Sequence, residues 1–306
     1  MLAIIIAGSV AAYQVTKKND TADEGKLSVT ASYYPLYDFA RQVGGDKVTV
    51  VNMTPAGAEP HDYEPSPQAL MGAQASTVFI YNGGLMEPWV DSFLSDYKHT
   101  VVKASEHITL EESHEEDGHT HADEDDHAHD AATDPHFWLD PVLAQQIVNN
   151  IRDGLTAADP DNQEYYAANA SSYNQKLAEL NTRFTDGLAH CTLHTAISSH
   201  GAFSYLAHRY GFTVASIAGI EPEDEPSPAK IAELTDMVRQ TGIRYIFFES
   251  LVSPRLAETI ASETGASTLI FDPIEGLSTA DQAAGKDYIG VQYDNLDNLR
   301  KALECQ

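Results

Sequence analysis

Short apolar, β-branched runs alternate along the chain with stretches whose apolar residues recur at three- and four-residue steps. The runs predict strands at Leu27–Ser32, Lys47–Met53, Thr77–Tyr81 and Thr100–Lys103 in the first half. A second series follows at Thr195–Ser199, Phe212–Ile217, Arg244–Phe248 and Ser267–Phe271. Several are nearly continuous apolar runs, the pattern of strands covered on both faces. Between them lie helical patterns such as Pro228–Thr241 and Pro254–Thr264, with Pro at the start and Gly just past the end. Strands alternating with helices predict α/β structure with parallel sheets. Two such series predict two lobes.

From Asp161 to Ala189 there is no Pro, and the only Gly lies near the end. Tyr166, Ala170, Tyr173, Leu177, Leu180, Phe184 and Leu188 recur at the spacing of one helix face. A helix of about 29 residues spans roughly 43 Å. Its place midway between the two strand series predicts a single long helix bridging both lobes rather than a core helix of one domain. The expected organisation is therefore an apolar leader and tether at 1–26, an N-terminal lobe at 27–160, a linking helix at 161–189 and a C-terminal lobe at 190–306. A rigid connector restricts lobe motion more than a pair of flexible hinges does.

Composition narrows the function. The 306 residues are 42% hydrophobic and 21% charged, enough apolar material for a core. Lys and Arg number 18 against 46 Asp and Glu, a formal charge of −28. Such a surface repels phosphate backbones and attracts cations, so nucleic acid is excluded as a partner. The stretch 106–130 is part of the N-terminal lobe but different in kind, with abundant acids, no Lys or Arg, and no apolar periodicity. It also holds His107, His114, His119, His121, His127 and His129. Its composition predicts no packed structure and accessory metal capture, with His114, His119, His121, His127 and His129 as donors. The plainer alternative is a solvated acidic insertion.

Met1 to Thr16 carry no charged side chain and include the apolar run Leu2-Ala3-Ile4-Ile5-Ile6-Ala7. The run is short for a membrane span, which needs roughly 20 residues, and resembles the apolar part of a secretion signal without its basic start. It reads either as an anchor or as a misassigned start; export is the expectation. No cysteine follows it to carry a lipid. Two cysteines occur, Cys191 and Cys305. An even count behind an export-like start permits a disulfide, against the alternative of two reduced thiols.

Four loops carry residues suited to metal chemistry. His61 lies in Gly57-Ala58-Glu59-Pro60-His61-Asp62-Tyr63-Glu64, His136 in Asp134-Pro135-His136-Phe137-Trp138-Leu139-Asp140-Pro141, and His200 directly after Thr195–Ser199. Asp272 and Glu275 follow the strand that ends at Phe271. Ligands of open parallel sheets bind beyond the carboxyl ends of the strands, so these groups can converge on one cleft from both halves. Three imidazoles and a carboxylate suit four-coordinate Zn²⁺.

These segments, with Glu223-Asp224-Glu225-Pro226-Ser227-Pro228, resemble the zinc/manganese solute-binding proteins of bacterial ABC importers, and most closely the zinc (ZnuA/AdcA) branch. The resemblance runs from about Leu27 to Cys305. It implies two βα lobes bridged by a long helix, one metal in the interlobe cleft, and a His-rich loop just before the second ligand. It also implies a Cys191–Cys305 disulfide. A monomer located outside the cytoplasm, partnered by an ABC permease in the membrane, is the expected setting. The ligands implied are His61, His136, His200 and Glu275, with Asp272, the position of the manganese branch's carboxylate, as the alternative fourth. His200 stands where manganese-type relatives carry a carboxylate, which favours Zn²⁺ over Mn²⁺ as cargo.

Rival readings are a zinc hydrolase and a surface adhesin. The hydrolase lacks support: there is no His-Glu-x-x-His helix, Gly-x-Ser-x-Gly or phosphate loop. A Cys/His cluster of His190, Cys191 and His194 is incompatible with a disulfide at Cys191.

Overall fold

A computed structural model describes residues 25–83, 86–112 and 133–306. The histidines His114, His119, His121, His127 and His129 and the apolar N-terminal run lie outside these residues. Every predicted strand forms: β1 Leu27–Ala31, β2 Val48–Asn52, β3 Val78–Tyr81, β4 Thr100–Lys103, β5 Thr195–Ser198, β6 Thr213–Ser216, β7 Tyr245–Phe248 and β8 Ser267–Ile270. Strands β3, β4 and β7 end where the apolar runs end, and β1, β2, β5, β6 and β8 each stop one residue short, where the chain leaves the sheet for its loop.

The first sheet has the order β2-β1-β3-β4, all parallel. In the second half β5 pairs with β6 and β7 with β8, again parallel. Strands β5 and β7 run side by side, so the second half repeats the spatial order of the first. Helices α1 Tyr34–Gly44, α2 Pro67–Gln74, α3 Val90–Asp96 and α4 Pro141–Ala158 serve the first sheet. After the long α5, Gln163–Leu188, come α6 Ser204–Tyr210, α7 Pro228–Thr241, α8 Arg255–Thr264, α9 Thr279–Ala283 and α10 Tyr288–Ala302. Ser66, Asp140, Ser227, Ser278 and Asp287 cap α2, α4, α7, α9 and α10 by accepting a backbone N–H.

The bridging helix begins two residues later than the predicted span of 161–189. Pro160–Asn162 forms a 3-10 turn first, and α5 then runs 26 residues, about 39 Å at 1.5 Å per residue. Asp159 fixes this entry by accepting from the Asn162 amide at 2.8 Å and the Tyr166 hydroxyl at 2.7 Å. The seven periodic residues of the helix are its buried face. Near its start Asn169 donates to the Val43 carbonyl of α1 at 3.0 Å, and near its end Asn181 accepts from Tyr210 of α6 at 3.0 Å. One continuous apolar core thus runs from β1 and α1 through α4 and α5 to α6, β8 and α10. The two halves are lobes sharing a spine.

Cys191 and Cys305 form the disulfide, flanked by backbone bonds from Leu193 N–H to Leu303 O and Gln306 N–H to His190 O, both 3.0 Å. It closes a separation of 114 residues, and a loop of that size contributes on the order of 4–5 kcal/mol in the chain-entropy account. The His190/Cys191/His194 cluster is thereby ruled out, since a bonded sulfur is no thiolate ligand. The acidic stretch is ordered further than its composition predicts. Up to Glu112 the chain is part of the fold: Glu112 bridges Thr133, and Asp134 N–H donates to Glu111 O at 2.9 Å. Among the described residues no helix is long and apolar enough to cross a membrane.

Candidate metal centre

Loops that follow strands of both halves, and the turn ahead of α4, supply the site. His61 sits in the loop after β2. His136 opens a 3-10 turn, Phe137–Leu139, ahead of α4. His200 follows β5, where Gly201 N–H donates to the Gly219 carbonyl at 2.8 Å; a Cβ on Gly201 would stand 3.1 Å from that oxygen. Glu275 follows β8.

His61, His136, His200 and Glu275 converge, and among the described residues theirs is the one such group of three or more metal-binding side chains. Nε2 of His136 lies 3.2 Å from Nε2 of His61 and 3.4 Å from Nε2 of His200. Oε1 of Glu275 lies 3.1 Å from His136 Nε2, 3.3 Å from His61 Nε2 and 3.3 Å from His200 Nε2. A point equidistant from four corners so spaced is about 2 Å from each, the length of a Zn–N or Zn–O bond.

The far sides of two rings are held. His136 Nδ1 lies 2.8 Å from Asp134 Oδ1, which also accepts the His136 backbone N–H at 2.9 Å. His200 Nδ1 lies 2.8 Å from Glu249 Oε1, which accepts the His200 N–H at 3.2 Å. Each carboxylate accepts a hydrogen bond from Nδ1–H, so the neutral ring turns its Nε2 lone pair inward. Two lone pairs and a carboxylate oxygen at contact distance repel unless a cation or protons lie between them. Burial lowers the pKa of both imidazoles, but the carboxylates outweigh it. Asp134 and Glu275 hold His136 above the ordinary histidine range, and Glu249 and Glu275 hold His200 well above it. Burial raises Glu275, yet His200, His136 and His61 bring it well below the usual carboxylate range. Glu59 is pushed up to about 9 by burial and by the Glu275 charge, so it is a neutral acid at pH 7.

Asp272 is not part of the group. Its carboxylate accepts from the Ser250 hydroxyl and from Ile274 N–H, the latter at 2.7 Å. It serves the turn: Ile274 has φ 60, left-handed backbone that a β-branched residue adopts at a cost of roughly 1–3 kcal/mol. Trp138 holds the same turn, its indole N–H donating to the Pro273 carbonyl at 2.8 Å. The turn aims Glu275, not Asp272, at the imidazoles. Asp134 and Glu249, the partners of the imidazoles, were not singled out from sequence. Position is the signal that finds Glu249, since it follows β7 as His200 follows the adjacent β5.

The ZnuA family model, described as the zinc-uptake complex component A, periplasmic, matches residues 29–302. The chain is 37% identical over 308 residues to the zinc-binding lipoprotein AdcA of Streptococcus pneumoniae, covering 99% of this chain and 61% of that protein. It therefore spans about three-fifths of the length of the AdcA relatives it matches. It is 39% identical to the high-affinity zinc uptake system protein ZnuA of Bacillus subtilis, covering 94% of this chain and 91% of that one. The Zn(II)-bound ZnuA-like domain of S. pneumoniae AdcA superposes with TM-score 0.78 at 36% identity, over 92% of this chain and all of that one. The laminin-binding protein of Streptococcus agalactiae, described as an adhesin with metal-transporting activity, superposes with TM-score 0.80 at 31% identity, over 90% of this chain and 99% of that one. With the family model spanning nearly the whole described chain and these relatives beside it, the chain belongs to the ZnuA family of solute-binding components.

Proposed function

We propose that the chain captures Zn²⁺ outside the cytoplasm with His61, His136, His200 and Glu275 and passes it to an ABC permease. The observation that carries this reading is the convergence of three Nε2 atoms and one Oε1, with five of the six separations at 3.1–3.4 Å and all within 4.8 Å. Three imidazoles favour zinc over manganese, which suits oxygen-rich sites. The carboxylates behind His136 and His200 raise their basicity and fix their orientation.

Function here is affinity and controlled release, without catalysis. A catalytic zinc keeps a position for water, whereas Glu275 fills the fourth corner of this site. The export-like start of the chain, together with relatives described as a lipoprotein and as a periplasmic component, supports an extracytoplasmic site of action. The division into lobes at 27–160 and 190–306 about the linking helix is part of the same reading, with the acidic His-rich stretch as an accessory.

Zinc and manganese titration calorimetry on the parent and on His200→Ala tests it. The expected result is one tight zinc site in the parent, much weaker manganese binding, and loss of the tight site in the variant. Full zinc affinity in His200→Ala, or manganese binding as tight as zinc, would overturn the assignment.

A further inference from the structure

His136 is the hub of the four-donor group. Its Nε2 lies 3.2 Å from that of His61, 3.4 Å from that of His200 and 3.1 Å from Oε1 of Glu275. Whatever aims this ring therefore sets three separations at once. The ring is aimed by Asp134 Oδ1, which accepts the His136 backbone N–H at 2.9 Å and faces Nδ1 at 2.8 Å. The other carboxylate oxygen, Oδ2, is buried and has no partner among the described residues. No other described side chain grips this carboxylate, so its direction is inherited from the backbone of Asp134.

That backbone is pinned from the second half of the chain. Tyr205 of α6 donates its hydroxyl proton to Asp134 O at 2.8 Å and accepts from Glu111 N–H at 2.8 Å. Glu111 O in turn accepts from Asp134 N–H at 2.9 Å. Both backbone groups of Asp134 are thus tied to one phenol oxygen, directly or through Glu111. A carbonyl can only accept and an amide N–H can only donate, so the direction of both hydroxyl bonds is fixed. Tyr205 is buried, and its ring stands edge-on to Phe137, the neighbour of His136, with centroids 6.4 Å apart. Arg209 of α6 also pairs with Asp140, the cap of α4. The contact of His208 with Glu111 at 2.9 Å is exposed and contributes little. Tyr205 stands five residues beyond His200. One short segment therefore carries one ligand and steadies the support of another.

We propose that Tyr205 is a positioning residue of the metal centre: its hydroxyl fixes the backbone of Asp134, and Asp134 then holds the His136 ring in register with His200. The spacing of two imidazoles from the two halves of the chain depends on one hydroxyl that binds no metal. This rests on the zinc-capture reading above.

Tyr205→Phe tests this, because it keeps the ring against Phe137 and removes only the hydroxyl. Zinc affinity is measured on the full chain by competition with a chelator, and far-UV circular dichroism checks each fold. The variant is expected to bind zinc about 3–10-fold more weakly, the scale of one lost buried hydrogen bond. In an Asp134→Ala background the same change is expected to cost about 2-fold or less, because the carboxylate it steadies is gone. In a Glu249→Ala background, where the support of His200 is removed instead, the full loss is expected to remain. A second readout, proton NMR of the zinc-bound protein with isotope-labelled histidines, needs only the parent and Tyr205→Phe. The Nδ1–H of His136 is expected to exchange with water faster in Tyr205→Phe, while that of His200 is unchanged. Unchanged zinc affinity in Tyr205→Phe, an equal loss with and without Asp134→Ala, or equal acceleration at both imidazoles would overturn the positioning role and leave the zinc reading intact. A parent without a tight zinc site would overturn both.

Discussion

Glu249 Oε1 lies 2.8 Å from Nδ1 of His200, with both side chains buried. The contact sets which nitrogen of His200 faces the site, because a carboxylate can only accept. Asp134 stands in the same relation to His136.

Removing this support without touching a ligand should weaken zinc binding. Glu249→Ala leaves His200 free to carry its proton on Nε2, the nitrogen the metal needs bare. A loss of about 10–100-fold in affinity is expected, in line with other carboxylates that support metal-bound histidines. Competition against a chelator of known affinity measures it. An unchanged dissociation constant would show that Glu249 does not select the tautomer.

Zinc and protons should compete for the site. The metal-free fold holds His136 and His200 above the ordinary histidine range and Glu275 well below the carboxylate range. The metal-free imidazoles therefore hold their protons to higher pH than an ordinary histidine does, and zinc must expel them. Affinity should fall as pH drops from 8 to 5, with the decline starting above the usual histidine value of about 6.5. Calorimetry in buffers of different ionisation enthalpy reads the released proton as a buffer-dependent heat. Identical heats in phosphate and Tris would contradict this account.

Much of this was legible in the chain. Strands buried on both faces announce themselves as apolar runs, and the 3.6-residue period of Tyr166 to Leu188 gave away the bridging helix. The choice between Asp272 and Glu275 was not legible. They lie in one loop, and what separates them is the left-handed backbone of Ile274, a conformation that its side chain gives no reason to expect. Glu249 was equally silent, because an acid after a strand reads as surface until its neighbour on the next strand is known.

The acidic His-rich stretch should be dispensable for tight binding. Removing residues 113–130 keeps Glu111, whose carbonyl accepts Asp134 N–H at 2.9 Å and whose N–H donates to Tyr205 at 2.8 Å. Asp134, and through it His136, therefore retains its anchorage. One tight zinc equivalent should survive while weaker equivalents disappear from the titration. Loss of the tight equivalent would make the stretch itself the binder.

Glu87 should make the metal-free protein less stable as pH rises. Its side chain is buried, and Oε1 accepts from Ser32 Oγ–H at 2.6 Å and Asn82 N–H at 2.7 Å. Oε2 has no partner among the described residues. Burial pushes its pKa up to about 7. The folded state thus binds more protons than the unfolded chain between about pH 4.5 and 7, and stability falls with rising pH across that window. Glu87→Gln keeps the oxygen that accepts both hydrogen bonds and cannot ionise. It should match the parent near pH 5 and exceed it at pH 8, by at most about 3 kcal/mol at 1.36 kcal/mol per pKa unit. Urea unfolding at the two pH values separates the cases. A stability difference that stays constant between pH 5 and pH 8 would mean that Glu87 does not ionise in the folded protein.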